Sequence, residues 1–470
     1  MTGSSPATRA TPVPAAPSWS GEFRAIFTLG WPLALGNLTQ IAMGTTDVMM
    51  MGWLSASTLA AGALGANLYF MAFVFGLGLL NAAIPLLAHD LGRHPGAAPP
   101  IRATVRAALW SALFMALPLW FALWWSEALL LAMGQEPELA SQAGTYVRAM
   151  QWALLPAWGF MVLRSFIGAL ERPGWSLAIG VGAVAINAAA NWCLMLGHWG
   201  FPSMGIAGSG LATSLSNGLM FLALGVVTLG LRPFRRYRLF AGVFRPDWRR
   251  LGVFWRLGLP MAATLSFEIT MFNVAVFLMG LIGAAPLAAH SIAIQLASLT
   301  FMVPLGIAQA AAVRVGLAQG RRDGAAVRRA GWTALGVAMG FMATMSALMV
   351  LAPRLLISAF IDTEAPGNAA VVEDALGFLM LAALFQISDG AQAVGAGNLR
   401  GLRDARVPML FALTGYWAIG LPLGAMLAFP LGLGGIGIWI GLATGLTVVA
   451  TLMIGRWATR EALGLVARAA

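Results

Sequence analysis

Residues 258–280 read GLPMAATLSFEITMFNVAVFLMG, 23 residues with a single charge, Glu268. As an α-helix rising about 1.5 Å per residue, this run covers the roughly 30 Å hydrocarbon core of a bilayer. It opens on Leu257-Gly258-Leu259-Pro260, and Leu29-Gly30-Trp31-Pro32 stands 228 positions earlier. At the same offset, without a gap, Met51-Gly52 pairs with Met279-Gly280 and Leu59-Ala60-Ala61 with Leu287-Ala288-Ala289. A weaker echo sets Gly168, Arg172 and Pro173 beside Gly401, Arg406 and Pro408. The chain repeats itself by halves. An even number of spans between the copies gives them one orientation, and parallel six-helix halves related by an axis along the membrane normal are a transporter architecture.

The whole composition agrees. Of 470 residues, 59% are apolar and 10% charged, against about 25% charged in an ordinary soluble domain. Apolar runs bounded by charge or Gly/Pro clusters fall at 25–50, 58–88, 102–125, 143–170, 175–196 and 206–231, then at 252–281, 286–317, 328–352, 372–398, 408–429 and 434–456. They predict an all-α integral membrane protein of twelve transmembrane helices in two pseudo-symmetric six-helix lobes. The N-lobe is expected over 21–231 and the C-lobe over 251–456, joined by a basic linker at 232–250. The small, polar, Pro-rich residues 1–20 read as a disordered tail without the apolar core and cleavage site of a signal peptide; 457–470 is a second tail.

All 28 basic residues are arginine, which excludes lysine Schiff bases and P-loops. Twenty-six of them fall on one side of the expected spans, and only Arg148 and Arg354 fall on the other, among Glu127, Glu136, Glu138, Asp362, Glu364, Glu373 and Asp374. The positive-inside rule then makes the arginine side, with both termini, cytoplasmic. The arginine-rich linker reads as a topology determinant in contact with lipid headgroups, not as a nucleic-acid arm.

Three carboxylates fall inside expected spans: Asp47, Glu268 and Asp389, with no arginine at comparable depth to pair with them. A charge at the bilayer centre costs at least about 2.5–3.5 kcal/mol on insertion scales, so each needs a cation, a proton or a water-filled cavity. A carboxylate desolvated without a partner holds a proton more tightly and releases it when a cation arrives, which is the requirement for antiport of an organic cation against H⁺ or Na⁺. Asn187 and Asn191 share a helical face, and Thr213 adds a third uncharged oxygen. Enzyme chemistry finds no support. No DxxD or DxD lies within the spans; His89, His94, His198 and His290 lack metal-ligand spacing, and the lone Cys193 excludes disulfides and CxxC motifs. No filter loop suggests a channel.

The sequence also resembles the multidrug and toxic compound extrusion (MATE) family of the MOP superfamily, in its NorM-like bacterial branch, over about residues 24–455. The resemblance is carried by PLALGNLTQIAMGTTDVMMMG (32–52), AINAAANW (185–192), GLPMAATLSFEITMF (258–272), AAHSIAIQLASLTFMVPLGIAQAAAVRVG (288–316) and ISDGAQAVGAGNLRGLRDARVP (387–408). It implies efflux of cationic, often aromatic drugs by alternating access, coupled to H⁺ or Na⁺, with no cofactor and no enzymatic activity. Asp47, Asn187, Asn191 and Thr213 match the family's first-lobe ion and proton cluster, Glu268 and Asp389 its second-lobe cation site (a candidate for Na⁺), and Pro32 a proline at which helix 1 bends in some relatives. Two positions depart from the pattern. Phe385 replaces a tyrosine one turn before Asp389, leaving only a ring face to attract a cation. Ser291 replaces the glutamine of AAHQ near the cavity, a change expected to alter substrate preference. The expected partners are organic cations, the coupling ion and membrane lipids, without nucleic acid, and the two-lobe design functions as a monomer. The alternatives are a flippase for lipid-linked oligosaccharides or precursors, whose anionic substrate would call for a basic cavity, and a major-facilitator-type transporter, of whose loop signature His89-Asp90-Leu91-Gly92-Arg93 is at best a fragment.

Overall fold

The computed structural model describes residues 18–466, so all but the last three residues of the expected tail at 1–20 lie outside it. Twelve long helical rods follow: α1 (Trp19–Leu54), α2 (Ala56–Arg93), α3 (Ala98–Trp124), α4 (Pro137–Ala169), α5 (Gly174–Leu194), α6 (Gly205–Gly230), α7 (Trp248–Ile282), α8 (Ala284–Gly320), α9 (Gly324–Leu351), α10 (Pro366–Gly401), α11 (Arg406–Ala428) and α12 (Gly434–Ala458). Eleven are long and apolar enough to cross a membrane. The twelfth, α1, is the most polar, carrying Asn37, Thr39, Gln40, Thr45, Thr46 and Asp47 in its second half.

Most helices overrun the apolar runs that announced them, because helix ends are fixed by capping and not by hydropathy. Ser18, Asp247 and Asp323 accept backbone N–H groups at the starts of α1, α7 and α9, satisfying donors that have no intrahelical partner. Thus Trp19 and Ser20, expected in the tail, are helical. At the other end Arg460 lies 4.5 Å over the Trp457 ring and the Leu465 carbonyl accepts from Gln319, so 459–466 folds back onto the second lobe.

One hydrophobic core runs through α1–α6 and continues into the arginine-side ends of α7 and α8, a second fills α7–α12, and a smaller one joins Ile26 of α1 to α8, α9 and α10. The lobes meet at the arginine-rich end, where glycines bring backbones together. A side chain at Gly78 would strike the backbone of Ala262, one at Gly306 the backbone of Ala34, and one at Gly320 the His89 carbonyl. Ions reinforce this seam. Arg314 of α8 reaches Glu22 of α1 at 2.6 Å and Glu171, at the α4–α5 turn, at 2.5 Å. Arg250 of α7 pairs with Asp90 of α2 and Thr104 of α3. Arg164 of α4 donates across the seam to Gln309 at 3.4 Å. Every hydrogen bond and ion pair between α1–α6 and α7–α12 among the described residues lies in this half.

Toward the acidic end the lobes part. Gln40 on α1, Thr270 and Asn273 on α7, and Ser291 and Gln295 on α8 are exposed polar side chains on membrane helices. Hydrocarbon would penalise such groups, which suits faces lining a cleft between the lobes, away from the bonded arginine-rich end.

Candidate functional site

The first carboxylate site is built by three helices. Asp47 of α1 is 4% exposed. Its Oδ1 accepts from Asn191 Nδ2 of α5 at 2.7 Å, and its Oδ2 accepts from Thr213 Oγ1 of α6 at 2.7 Å. Asn191 Nδ2 also donates to the carbonyl of Asn187, one turn earlier, at 3.0 Å. All four residues singled out in the first lobe therefore come together, and both carboxylate oxygens are occupied by neutral donors. Buried Tyr146 of α4 stands within electrostatic range of Asp47, a neighbour that the sequence reading missed.

The second site is less complete. Glu268 of α7 is half-buried and accepts from Gln392 Nε2 of α10 at 3.4 Å. Asp389, three residues before Gln392, is buried and within electrostatic range of Glu268. Asp389 Oδ1, Gln392 Oε1 and the Tyr416 hydroxyl are all buried without a hydrogen-bond partner. Tyr416 sits on a π-helical turn of α11, Leu413–Gly420. Such turns carry an extra residue that rotates one side chain out of the regular register, and they gather at functional sites. Here the turn lies against the Gly441–Gly445 face of α12, and Tyr416 is buried within electrostatic range of Glu268 and Asp389. None of the three membrane carboxylates forms an ion pair among the described residues, but Arg400, at the arginine-rich end of α10, is near enough to Glu268 to feel its charge. An arginine thus does stand within reach of one of them.

Three further residues named from the resemblance are placed as follows. Phe385 does not face the cleft. It is 1% exposed and packs edge-on against Phe272 at 6.0 Å and Trp439 at 5.8 Å, so its ring serves the second-lobe core beneath Asp389. Ser291 is exposed on the cleft wall, its hydroxyl donating to the Leu287 carbonyl of its own helix. The buried member of that pair is His290, edge-on to Trp439 at 5.5 Å with both ring nitrogens unpartnered. Helix α1 runs unbroken through Pro32. Arg164 Nη2 donates to the Leu33 carbonyl at 2.9 Å and to Asn37 Oδ1 at 2.8 Å, anchoring the helix just after the turn that the proline weakens.

Among the described residues no group of three or more His, Cys, Asp or Glu is placed to hold a metal ion. The second site instead offers two carboxylates with neutral oxygens. Hard oxygen donors of this kind suit a transiently held proton or alkali cation, not a resident transition metal.

Comparison with known proteins follows the same lines. The MatE family model matches residues 32–193 and 260–426. A probable multidrug resistance protein NorM of Mesorhizobium japonicum is 58% identical, the match covering 94% of this chain and 95% of the relative. A second protein of that description, from Brucella suis, is 50% identical over 93% of each. Among solved structures the eukaryotic MATE transporter AtDTX14 superimposes with a TM-score of 0.82 at 21% identity, covering 94% of this chain and 96% of the other.

Proposed function

The chain belongs to the MATE family of multi-pass membrane transporters, and on that premise we propose that it exports cationic, often aromatic compounds in exchange for H⁺ or Na⁺. The observation that carries this reading is the pair of embedded carboxylate sites, one in each lobe, with no ion pair neutralising either. An embedded carboxylate that forms no direct ion pair can take its counter-charge from what it carries. With Asp47 binding and releasing a proton in the first lobe, and Glu268 and Asp389 holding a cation in the second, the two charges can be exchanged across one cycle. Rocking of one lobe against the other would open the arginine-rich seam and close the cleft.

The arginine bias supports a seam on the cytoplasmic side of a bacterial inner membrane, which would make this arrangement an outward-open one. Methionines and aromatics on the cleft-bearing helices supply walls that repack around different flat cations. The two-lobe transporter completes its path within a single chain. A flippase of the same superfamily would move an anionic headgroup, and the acidic sites oppose that reading.

The test is ethidium efflux from everted vesicles under ΔpH and under a Na⁺ gradient applied separately. Transport driven by ΔpH alone assigns coupling to a proton and puts Asp47 foremost, whereas transport that requires Na⁺ assigns it to Glu268 and Asp389. No movement under either gradient, with the protein verified in the membrane, would overturn the efflux reading.

A further inference from the structure

The segment after α6 is not a loose linker. Phe234 and Tyr237 are buried edge-on against Phe166 of α4, at 6.1 Å and 5.4 Å, and Leu239 is buried beside them. Arg106 of α3 holds the Gly242 carbonyl at 3.1 Å, and Trp110 Nε1 holds the Val243 carbonyl at 2.8 Å. With the apolar residues anchored inward, the intervening arginines are driven outward and around one concavity. Arg232, Arg235, Arg236 and Arg238, with Leu229 and Phe240, line a cavity of about 890 Å³. All four are exposed, and one is held in place: the Arg236 guanidinium lies 4.8 Å over the Tyr237 ring and donates to its hydroxyl.

Among the described residues none of these four arginines forms an ion pair. Four like charges gathered around one hollow repel one another unless an anion fills it. The wall of the hollow also says which kind of anion. Leu222, Val226 and Leu229 recur at four and three residues along α6, on one face, and are 62%, 68% and 53% exposed. This greasy stripe runs from the bilayer region of α6 directly into the arginine cavity. A ligand that uses both surfaces carries phosphate at one end and hydrocarbon at the other.

We propose that this cavity is a binding site for an anionic phospholipid of the arginine-side leaflet, its phosphate bound by the four guanidinium groups and an acyl chain lying along Leu222, Val226 and Leu229. Planar guanidinium forks match phosphate oxygens two at a time, and basic hollows beside membrane helices suit doubly charged headgroups. The site lies apart from both carboxylate clusters and depends on no choice of substrate or coupling ion.

Native mass spectrometry of the full chain, released from detergent doped with phosphatidylglycerol or cardiolipin, tests the proposal against phosphatidylcholine, glycerophosphate and inorganic phosphate. The anionic lipids should be retained, phosphatidylcholine at least tenfold less, and neither soluble phosphate to a measurable degree. The triple variant R235Q/R236Q/R238Q should lose retention by well over tenfold, at about fivefold per guanidinium. Because removing positive charge also perturbs insertion, R235K/R236K/R238K keeps the topological bias; it should insert normally yet bind several-fold more weakly, since an ammonium cannot fork. V226N/L229N should weaken the lipid without creating affinity for glycerophosphate. Binding of glycerophosphate or phosphate as tightly as lipid would overturn the lipid assignment. So would equal loss of retention in R321Q/R322Q/R328Q, which removes as many charges from another part of the same face, or undiminished retention in the glutamine triple.

Discussion

The two lobes hold their carboxylates in opposite ways. In the first, both oxygens of Asp47 are engaged at 2.7 Å by Asn191 and Thr213. In the second, Glu268 has a single long contact at 3.4 Å with Gln392, and buried oxygens of Asp389, Gln392 and Tyr416 go unpartnered. The first site is already assembled. It can change its charge by gaining or losing a proton without moving a side chain, which suits the smallest of ions. The second is a set of unused acceptors around two neighbouring carboxyl groups, an arrangement that something positive entering it would stabilise. Repeated architecture has thus yielded two sites of different chemistry.

The sharpest way to break this contrast is to neutralise each site and measure transport and stability together. Asp47→Asn, Glu268→Gln and Asp389→Asn are each expected to lower drug efflux by more than a hundredfold in cells with verified membrane expression. Thermal stability should separate them. Asp47→Asn turns an amide N–H₂ toward a donor that formerly met a carboxylate, leaving one buried donor unsatisfied at a cost of about 1–3 kcal/mol. Asp389→Asn removes an oxygen that bonds to nothing and offers an N–H to Glu268, so the purified protein should melt no lower than the wild type. Equal destabilisation by both variants would erase the difference drawn here.

A finer probe is Tyr416→Phe. Removing a buried hydroxyl without a partner is close to neutral for folding, while the second site loses one of its free oxygens. Efflux driven by a Na⁺ gradient should fall about tenfold, and efflux driven by ΔpH should stay within twofold. A loss shared equally between the two gradients would take Tyr416 out of the cation site and leave it a packing residue of the π-helical turn.

How far the sequence led can be judged on these residues. Twelve spans, the internal repeat and three misplaced carboxylates were legible, because apolar length and the cost of buried charge are local properties of the chain. Asn187 and Asn191 could be paired by helical spacing, but their convergence with Thr213 on Asp47 came only from family resemblance, since periodicity says which residues share a face and not which faces meet. Of the partners that escaped notice, Tyr146 comes from α4 and Tyr416 from a register shift in α11, whereas Gln392, three residues after Asp389 on α10, was within reach of helical spacing. The π-helical turn that turns Tyr416 inward has no signature in a 3.6-residue period. One signal was available. The chain holds only 4 tyrosines against 25 phenylalanines and 18 tryptophans, and two of the four sit at the two carboxylate sites. Phe385 was placed at the cation site by analogy with a tyrosine; without the hydroxyl, nothing opposes burying the ring against Trp439.

The ionic seam links the two sites, since each must be exposed in turn. Arg314→Gln removes the pairs with Glu22 and Glu171 from the closed end while leaving both carboxylate sites intact. Charged hydrogen bonds of this kind are worth about 1.5–3 kcal/mol, so the population with the seam open should rise by at least about tenfold. In a Cys193→Ser background, a reporter introduced by Ala34→Cys, opposite Gly306, should then react at least about tenfold faster with a maleimide supplied from the arginine-rich side. An unchanged rate would mean that the glycine contacts alone hold the seam.

The smallest effect is expected at Ser291, which shares neither site. Its hydroxyl is returned to its own helix at Leu287, and the side chain fronts the cleft between the carboxylates' lobes. Ser291→Gln lengthens a polar side chain into that space without touching a bonded carboxylate, so it should leave coupling alone and shift the relative efflux of bulky and compact cations by about two- to fivefold, the scale of a single marginal contact. Parallel resistance profiles for several dyes would show the shift as a change of rank rather than a common loss. A uniform loss across all of them would place Ser291 in the transport step itself, and would mean that the cleft wall and the carboxylate sites are not the separate elements that their geometry makes them.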